Sequence, residues 1–238
     1  MNEFANMLIE KAEKAGLPLE QEQAERFSHY YELLLDWNTR MNLTAITDPG
    51  GVIVRHFIDS LLLTRMVEIP ENAQLADIGT GAGFPSVPVG IVRPDVKLLL
   101  VDSLNKRITF LKQLTAELGV RAECIHSRAE ELGKKPEYRE SCEVVTARAV
   151  AHLRELAEYC LPFVWPGGVF AAMKGPDLQQ ELEEAKKAIQ LLGGQVEELK
   201  EYHLPDGSGR SLLLVRKISQ TPTKYPRPSA KIAKSPLK

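Results

Sequence analysis
Two regimes of hydrophobic pattern divide the chain. Up to about residue 66, apolar side chains recur every three or four positions, the spacing of amphipathic helices. Asn2 is placed to cap a first helix, which Gly16 ends before Pro18. A second helix runs from about Glu20 to Met41, with Ala24, Phe27, Tyr31 and Leu34 on one stripe. Asp48-Pro49 reads as an N-cap followed by a first-turn proline, opening a third helix that carries Ile53, Phe57 and Leu61. From Gln74 onward, short apolar runs alternate with helical stripes. Strands are predicted near 74–78, 97–102, 121–126, 142–147, 167–173, 195–202 and 211–217. Helices fall between them near 84–93, 105–119, 152–161 and 177–192, one with Ile108, Leu111, Thr115 and Leu118 as its buried stripe. This alternation implies a parallel sheet covered on both faces. Only Leu204-Pro205-Asp206-Gly207-Ser208-Gly209 separates the last two strands, too little for a crossover helix, so they form an antiparallel hairpin. The expected organisation is a helical cap over 1–68, an α/β domain over 69–218 and an extended basic, proline-rich arm over 219–238.

The first strand ends Leu75-Ala76-Asp77-Ile78 and runs into Gly79-Thr80-Gly81-Ala82-Gly83-Phe84-Pro85. Glycines at alternate positions let backbone turn tightly and approach a ligand. A dinucleotide loop would carry a further glycine where Phe84 stands, and Pro85 removes an amide that a phosphate would use. A glycine turn without a phosphate seat suits a nucleoside such as S-adenosylmethionine. The next strand ends at Asp102, whose carboxylate is placed to accept both ribose hydroxyls. Asp77, Gly79, Gly81, Gly83, Phe84 and Asp102 are therefore candidate cofactor residues. A mostly parallel, seven-stranded sheet closed by an antiparallel hairpin is the plan of the class I, Rossmann-like methyltransferases, here with an N-terminal helical cap.

Composition narrows the reading. The 238 residues are 44% hydrophobic, enough for one substantial core. No run approaches the ~18 apolar residues of a membrane-spanning helix. No signal peptide is visible, and Cys124, Cys142 and Cys160 are widely spaced, so buried reduced thiols in a cytosolic protein are expected. No metal cluster is expected among the scattered histidines. The net charge of −2 is uneven: residues 1–70 hold 6 basic and 11 acidic side chains, residues 219–238 hold 5 basic and none acidic. The body does not advertise nucleic-acid binding, whereas the arm, with Tyr225 among its cations, does.

Chemistry is expected at the carboxyl ends of the strands. Lys106 and Arg107 open a helix, where the dipole disfavours cations, so they face either an anion such as RNA phosphate or solvent. In His126-Ser127-Arg128-Ala129-Glu130, a backbone amide and a carboxylate are placed to meet an adenine edge, unless Glu130 simply begins a short helix. Asn38, Asn42, Thr44, His56, Asp59 and Ser60 are either caps and surface groups or, together, the lining of a groove facing the glycine loop. The fourth strand ends Val144-Val145-Thr146-Ala147-Arg148-Ala149. This is neither the amine clamp that exocyclic amino acceptors need nor a cysteine nucleophile for a pyrimidine carbon. Guanine N7, a lone-pair acceptor without a proton, fits what remains. Arg148 either holds the substrate or pairs with a neighbouring acid.

Several stretches together carry a specific resemblance. Trp37-Asn38, Asn42-Leu43-Thr44-Ala45-Ile46 and His56-Phe57-Ile58-Asp59-Ser60-Leu61 are similar to the N-terminal signature of the glucose-inhibited division protein B family, the bacterial small-subunit ribosomal RNA guanine-N7 methyltransferases. Asp77 to Pro85 resembles their cofactor loop, with Thr80 where alanine or serine is also usual. Asp102 to Arg107, Arg128-Ala129-Glu130, Thr146 to Ala149 and Lys224-Tyr225-Pro226-Arg227 also match, whereas the tail beyond Arg227 departs from the usual glycine-containing ending. The resemblance implies S-adenosylmethionine contacts at Gly79, Phe84, Ala129, Glu130 and Arg148, the last positioning substrate at the methyl site with no general base expected. It implies a guanine acceptor near the decoding site of 16S ribosomal RNA, guanine 527 in the usual 16S numbering. Lys106, Arg107, Lys224 and Arg227 are the candidate RNA contacts, on naked RNA, an assembly intermediate or the small subunit, and a monomer is expected. A small-molecule methyltransferase would share the glycine loop and Asp102 without needing the basic arm. A non-catalytic RNA-binding protein would keep the arm without a cofactor.

Overall fold
The computed structural model describes residues 2–148 and 150–237; Met1 of the cap, Ala149 after Arg148 and Lys238 of the arm lie outside the described residues. Seven strands form one sheet: β1 Gln74–Ile78, β2 Lys97–Asp102, β3 Ala122–His126, β4 Cys142–Arg148, β5 Val164–Lys174, β6 Gly194–His203 and β7 Gly209–Lys217. Their order is β3-β2-β1-β4-β5-β7-β6. The first five are parallel to their neighbours, and β7 runs antiparallel to both β5 and β6. The predicted hairpin is therefore present. Among the described residues, no helix is long and apolar enough to cross a membrane.

Side chains of a strand alternate between faces, and two separate cores result from that period. Leu75, Leu98, Leu100, Val144, Ala171 and Leu212 point into one core; Ala76, Leu99, Val101, Val145, Ala172 and Leu213 point into the other. The first face is covered by α5 Ser86–Val92, α6 Asn105–Glu117 and the N-terminal helices α1 Glu3–Lys14 and α2 Gln21–Asn38. The second is covered by α8 Leu153–Cys160 and α9 Gln179–Leu191, with the short α7 Ala129–Leu132 at its margin. Phe4, Leu8, Phe27 and Leu34 of the N-terminal helices share their core with the sheet, so this region has no separate apolar centre.

Local signals account for most helix ends. The Asn2 side chain accepts from the Phe4 amide at 3.0 Å and starts α1. α2 stops at Asn38 rather than near Met41 because Asn38 Oδ1 accepts from the amides of Leu43 and Thr44, at 2.8 and 3.0 Å, and turns the chain. The expected third helix is divided into α3 Pro49–Val52, a π-helical turn Ile53–Ile58 and α4 Asp59–Met66. A π turn inserts one residue and rotates the rest of the helix about its axis. Ile53, Phe57 and Leu61 still enter the core, while Arg55, His56 and Asp59 are delivered to the carboxyl edge of the sheet.

The arm corrects an expectation. It is not an extended segment but lies packed on the body and ends in a helix, α10 Ser229–Lys234. Tyr225 is 6% exposed and Ile232 fully buried. Arg139 donates to the carbonyls of Thr221 and Tyr225, at 2.6 and 2.9 Å. Arg227, expected to contact RNA, is instead consumed by an ion pair with the fully buried Glu158 at 2.7 Å. Isolated anchors rather than a periodic stripe dock the arm, which is why its hydrophobic pattern gives no sign of burial.

Tyr30, also fully buried, ties the cap to the glycine turn: its hydroxyl donates to the Ala82 carbonyl at 2.5 Å. Tyr30→Phe keeps the ring and strands that carbonyl, so it should cost about 1–2 kcal/mol in denaturant unfolding. Wild-type stability would show that this bond does not hold the loop.

Candidate active site
The strand order reverses between β1 and β4, so the connections leaving these neighbours turn to opposite faces and open a crevice at their carboxyl ends. The glycine turn sits in that crevice. Its start is fixed by the amides of Gly79 and Thr80, which both donate to the Val101 carbonyl, at 2.9 and 3.2 Å. Gly79, Gly81 and Gly83 all have positive φ. A Cβ at Gly79 would meet Val150 at 2.9 Å, and one at Gly83 would meet the Tyr30 hydroxyl at 2.8 Å. At Gly81 the nearest atom would be the Gly79 carbonyl oxygen at 4.0 Å, so the space over this residue is open.

On one side of the turn lies a cavity walled by Gly79, Asp102, Ser127, Ala129, Glu130 and Tyr159. Four of the predicted cofactor residues are thus brought together: Gly79 and Asp102 from successive strand ends, Ala129 and Glu130 from the first turn of α7. Glu130 both begins a short helix and lines the cavity, so the two readings of that stretch hold at once. Asp102 is buried and accepts from the amides of Gly81 and Leu104, at 3.0 and 2.9 Å. Arg107 corrects an expectation: the anion it faces is Asp102 itself, 3.2 Å away, rather than one left open for RNA. Lys106 beside it is exposed, as is Lys224, whose ammonium lies 5.2 Å from the Tyr225 ring centroid.

At the ends of β4, β5 and β7, beside the π turn, Arg55, His56, Asp59, Arg148, Lys174 and Arg210 line a second cavity. Asp59, 2% exposed at its side chain, pairs with Arg148 at 3.0 Å and Arg210 at 3.5 Å, and accepts from the Tyr202 hydroxyl at 3.1 Å. The neighbouring acid weighed for Arg148 is therefore real, yet the guanidinium still faces the cavity. Arg148 also donates to the Arg55 carbonyl at 3.1 Å and to His56 Nδ1 at 3.3 Å. Burial, then the charge of Arg148, push His56 down to about 4, so its ring is neutral. Its Nε2 lies 2.8 Å from Thr44 Oγ1. Phe84, expected to contact cofactor, is buried outside the first cavity, stacked on Tyr30 at 5.2 Å and His56 at 4.6 Å, with Arg148 over its ring at 5.1 Å.

Of the polar cluster, His56 and Asp59 line the second cavity, and Thr44 bonds His56 from behind. Asn38 is a helix-end cap, Ser60 donates to the His56 carbonyl, and Asn42 is exposed. Lys174 and Arg210 were not singled out in the sequence. The strand-end rule reaches both: Lys174 closes β5, and Arg210 opens antiparallel β7 at the same edge. The thiols take no part: burial pushes Cys142 up to about 12 and raises Cys160.

Asp77 lies fully buried beneath the turn. Thr80 donates to its Oδ2 at 3.0 Å, but its Oδ1 has no partner among the described residues. Burial raises its pKa from 3.8 to about 7, against the hydrogen bonds of Thr80 and Ser86. A carboxyl raised on folding stabilises the protein while protonated, and that stability is lost as pH rises from about 4 through about 7. Asp77→Asn should therefore raise the melting temperature at pH 8 by several degrees, at ~2–4 °C per kcal/mol. The gap should close toward pH 5. Equal melting curves at both pH values would show that the buried charge is relieved by something else.

The comparisons with known proteins agree with this geometry. Residues 23–212 match the family described as GidB, rRNA small subunit methyltransferase G. The chain is 46% identical over 239 residues to the ribosomal RNA small subunit methyltransferase G of Desulforamulus reducens, covering 100% of both. It is 47% identical over 233 residues to the protein of that name from Acetivibrio thermocellus, covering 97% of this chain and 96% of the relative. Among solved structures, an S-adenosylmethionine-dependent methyltransferase from Aquifex aeolicus shares the fold at TM-score 0.54 and 17% identity, over 72% of this chain and 94% of that one. With the glycine turn at the β1–β4 switch point and the family match across most of its length, this chain belongs to the rRNA small subunit methyltransferase G (GidB) family.

Proposed function
We propose that this chain transfers a methyl group from S-adenosylmethionine to N7 of a guanine in 16S ribosomal RNA, carried by the small subunit or an assembly intermediate, and that it does so as a cytoplasmic monomer. The observation that carries the reading is a pair of cavities at the carboxyl edge of the sheet, one against the glycine turn and one whose His56 and Arg148 pack on Phe84 at the end of that turn. One offers the hydrogen-bond partners of a nucleoside; the other sets Arg55, Arg148, Lys174 and Arg210 around the buried Asp59.

The residues fit the cofactor. The open space over Gly81 admits a close ligand, Asp77 Oδ1 is a buried acceptor without a donor among the described residues, and Asp102 and Glu130 are carboxylates at separate points of the cavity wall. Asp102 would hold the ribose hydroxyls, Ala129 and Glu130 the adenine edge, and Asp77 with the turn the ammonium end. S-adenosylmethionine supplies a methyl group already activated on a sulfonium.

The protein's part is to hold and dehydrate the acceptor. Guanine O6 and the phosphates accept hydrogen bonds, so Arg148, Lys174 and Arg210 suit them, while N7 keeps its in-plane lone pair free. Arg148 is pre-oriented by Asp59, His56 and the Phe84 ring. Asp59 also offers negative charge near the guanine as positive charge develops there. Among the described residues of this cavity no group is poised as a base: His56 is held at about 4, and Lys174 is paired with Glu181 at 2.8 Å. Guanine N7 has no proton to give up, so none is required. Lys106 and Lys224, in no ion pair among the described residues, extend the basic surface toward RNA phosphate.

Asp102→Ala and Gly81→Val should each weaken S-adenosylmethionine by ~10–100-fold or more in calorimetry, the first through lost hydrogen bonds to a charged acceptor. Native circular dichroism would show that the fold remains. Unchanged affinity in both variants would move the cofactor elsewhere. In single-turnover transfer at saturating RNA and cofactor, 7-methylguanosine should be the product nucleoside by mass spectrometry, at a rate nearly flat from about pH 6 to 8.5. A limb of about tenfold per pH unit, or a methyl group on another position, would overturn the acceptor assignment.

A further inference from the structure
The arm returns to the site from the far end of the chain. Ser229, at the start of α10, lines the same cavity as Asp102, Glu130 and Tyr159 of α8. What holds it there is next to it in both chain segments. Arg227, two residues before Ser229, pairs with Glu158, one residue before Tyr159. The contact is a fork: Nη2 donates to Glu158 Oε2 at 2.7 Å, Nε to Oε1 at 2.9 Å, and the Arg227 amide adds a bond to Oε1 at 2.8 Å. Arg227 Nη1 donates to the Ser235 carbonyl at 3.0 Å, closing the far end of α10. The root of the arm is fixed separately by the buried Lys217, whose ammonium donates to the Leu161 carbonyl and to Thr221 Oγ1, both at 2.6 Å.

A fully buried carboxylate matched by one forked guanidinium is a poor source of net stability, because desolvation offsets most of the attraction. It does fix how the arm is seated, because Glu158 takes these bonds from the Arg227 amide and guanidinium alone among the described residues. Ser229, two residues on, is thereby held in the wall of the cavity that Tyr159 also lines.

We propose that the C-terminal arm is a wall of the nucleoside cavity, with Ser229 a contact for the adenosine part of the ligand and Arg227 its positioning residue through Glu158. This rests on the reading of that cavity as the S-adenosylmethionine site. A ligand that touches the docked arm binds the docked state better, so ligand and docking stabilise each other reciprocally. The arm then acts on the cofactor rather than only on RNA.

The test uses the full-length protein and S-adenosylmethionine. Amide hydrogen exchange over residues 225–234 should slow when the ligand saturates. Ser229→Trp, at a half-buried position facing the cavity, should raise the calorimetric Kd about tenfold or more with the melting temperature of the free protein unchanged. Arg227→Gln should raise Kd likewise and abolish the ligand's effect on exchange in 225–234. Should that variant not fold, the first two measurements decide. Exchange that ignores the ligand, or a Ser229→Trp protein that binds like wild type, overturns the proposal. The cavity reading fails separately: it falls if wild type binds no S-adenosylmethionine or if Asp102→Ala binds it unchanged. If wild type binds, Asp102→Ala does not and Ser229→Trp does, only the role of the arm is refuted.

Discussion
A charge taken out of water must be paired, and this requirement holds the molecule's distant segments in place. Asp59 comes from the N-terminal helices, Arg148 from the middle of the sheet and Arg210 from the final hairpin; they meet because Asp59 is 2% exposed at its side chain and cannot be left alone. Glu158 and Arg227 bring the arm to α8 in the same way, and the fully buried Lys217 joins Glu140 at 3.2 Å. An unpaired carboxylate at any of these places would cost several kcal/mol. The apolar cores account for why the layers stack. The buried pairs account for which loop ends where.

The site inherits its character from these pairs. Arg148 faces an acceptor cavity already oriented, so its side chain has little entropy left to lose when an anion or a guanine edge arrives. His56 is deprived of its proton by burial and by the same guanidinium, and serves as a flat surface against Phe84 rather than as a base. The exception is Asp77, a buried carboxyl with one oxygen unmatched among the described residues. An unmatched buried acceptor is destabilising in the folded chain, and Asp77 is the place beneath the turn where that cost is carried.

Glycine usage fits the same division. Gly79 and Gly83 are glycines because protein atoms occupy the space of a Cβ, from Val150 on one side and Tyr30 on the other. Gly81 has no such neighbour, and its missing side chain leaves room for something that is not protein. Alternate positions in one motif thus answer to different constraints, packing together with backbone conformation for two and backbone conformation alone, under open space, for the third.

Much of the fold was legible in the sequence. The strands fall close to their predicted ranges because period-2 alternation and short apolar runs are properties of the chain itself, as are the caps at Asn2 and Asp48 and the loop too short for a crossover. The cavity around Gly79, Asp102, Ala129 and Glu130 was readable for a related reason: each residue lies at or just beyond a strand end on the same edge of a parallel sheet. The π turn at Ile53–Ile58, the end of α2 at Asn38, the docked arm and the partners of Arg107 and Arg227 depend on contacts that periodicity does not record. Glu158 and Arg227 stand 69 positions apart, Asp59 and Arg148 89, and nothing local distinguishes a cation that meets RNA from one that meets its own protein. The sequence by itself determined the sheet, its hairpin and the edge at which the glycine-turn cavity opens, because those come from local pattern and strand polarity. Only the tertiary structure decided which charges are spent on holding the molecule together and which are left facing a cavity, because pairing is settled by burial, and burial belongs to the folded chain as a whole.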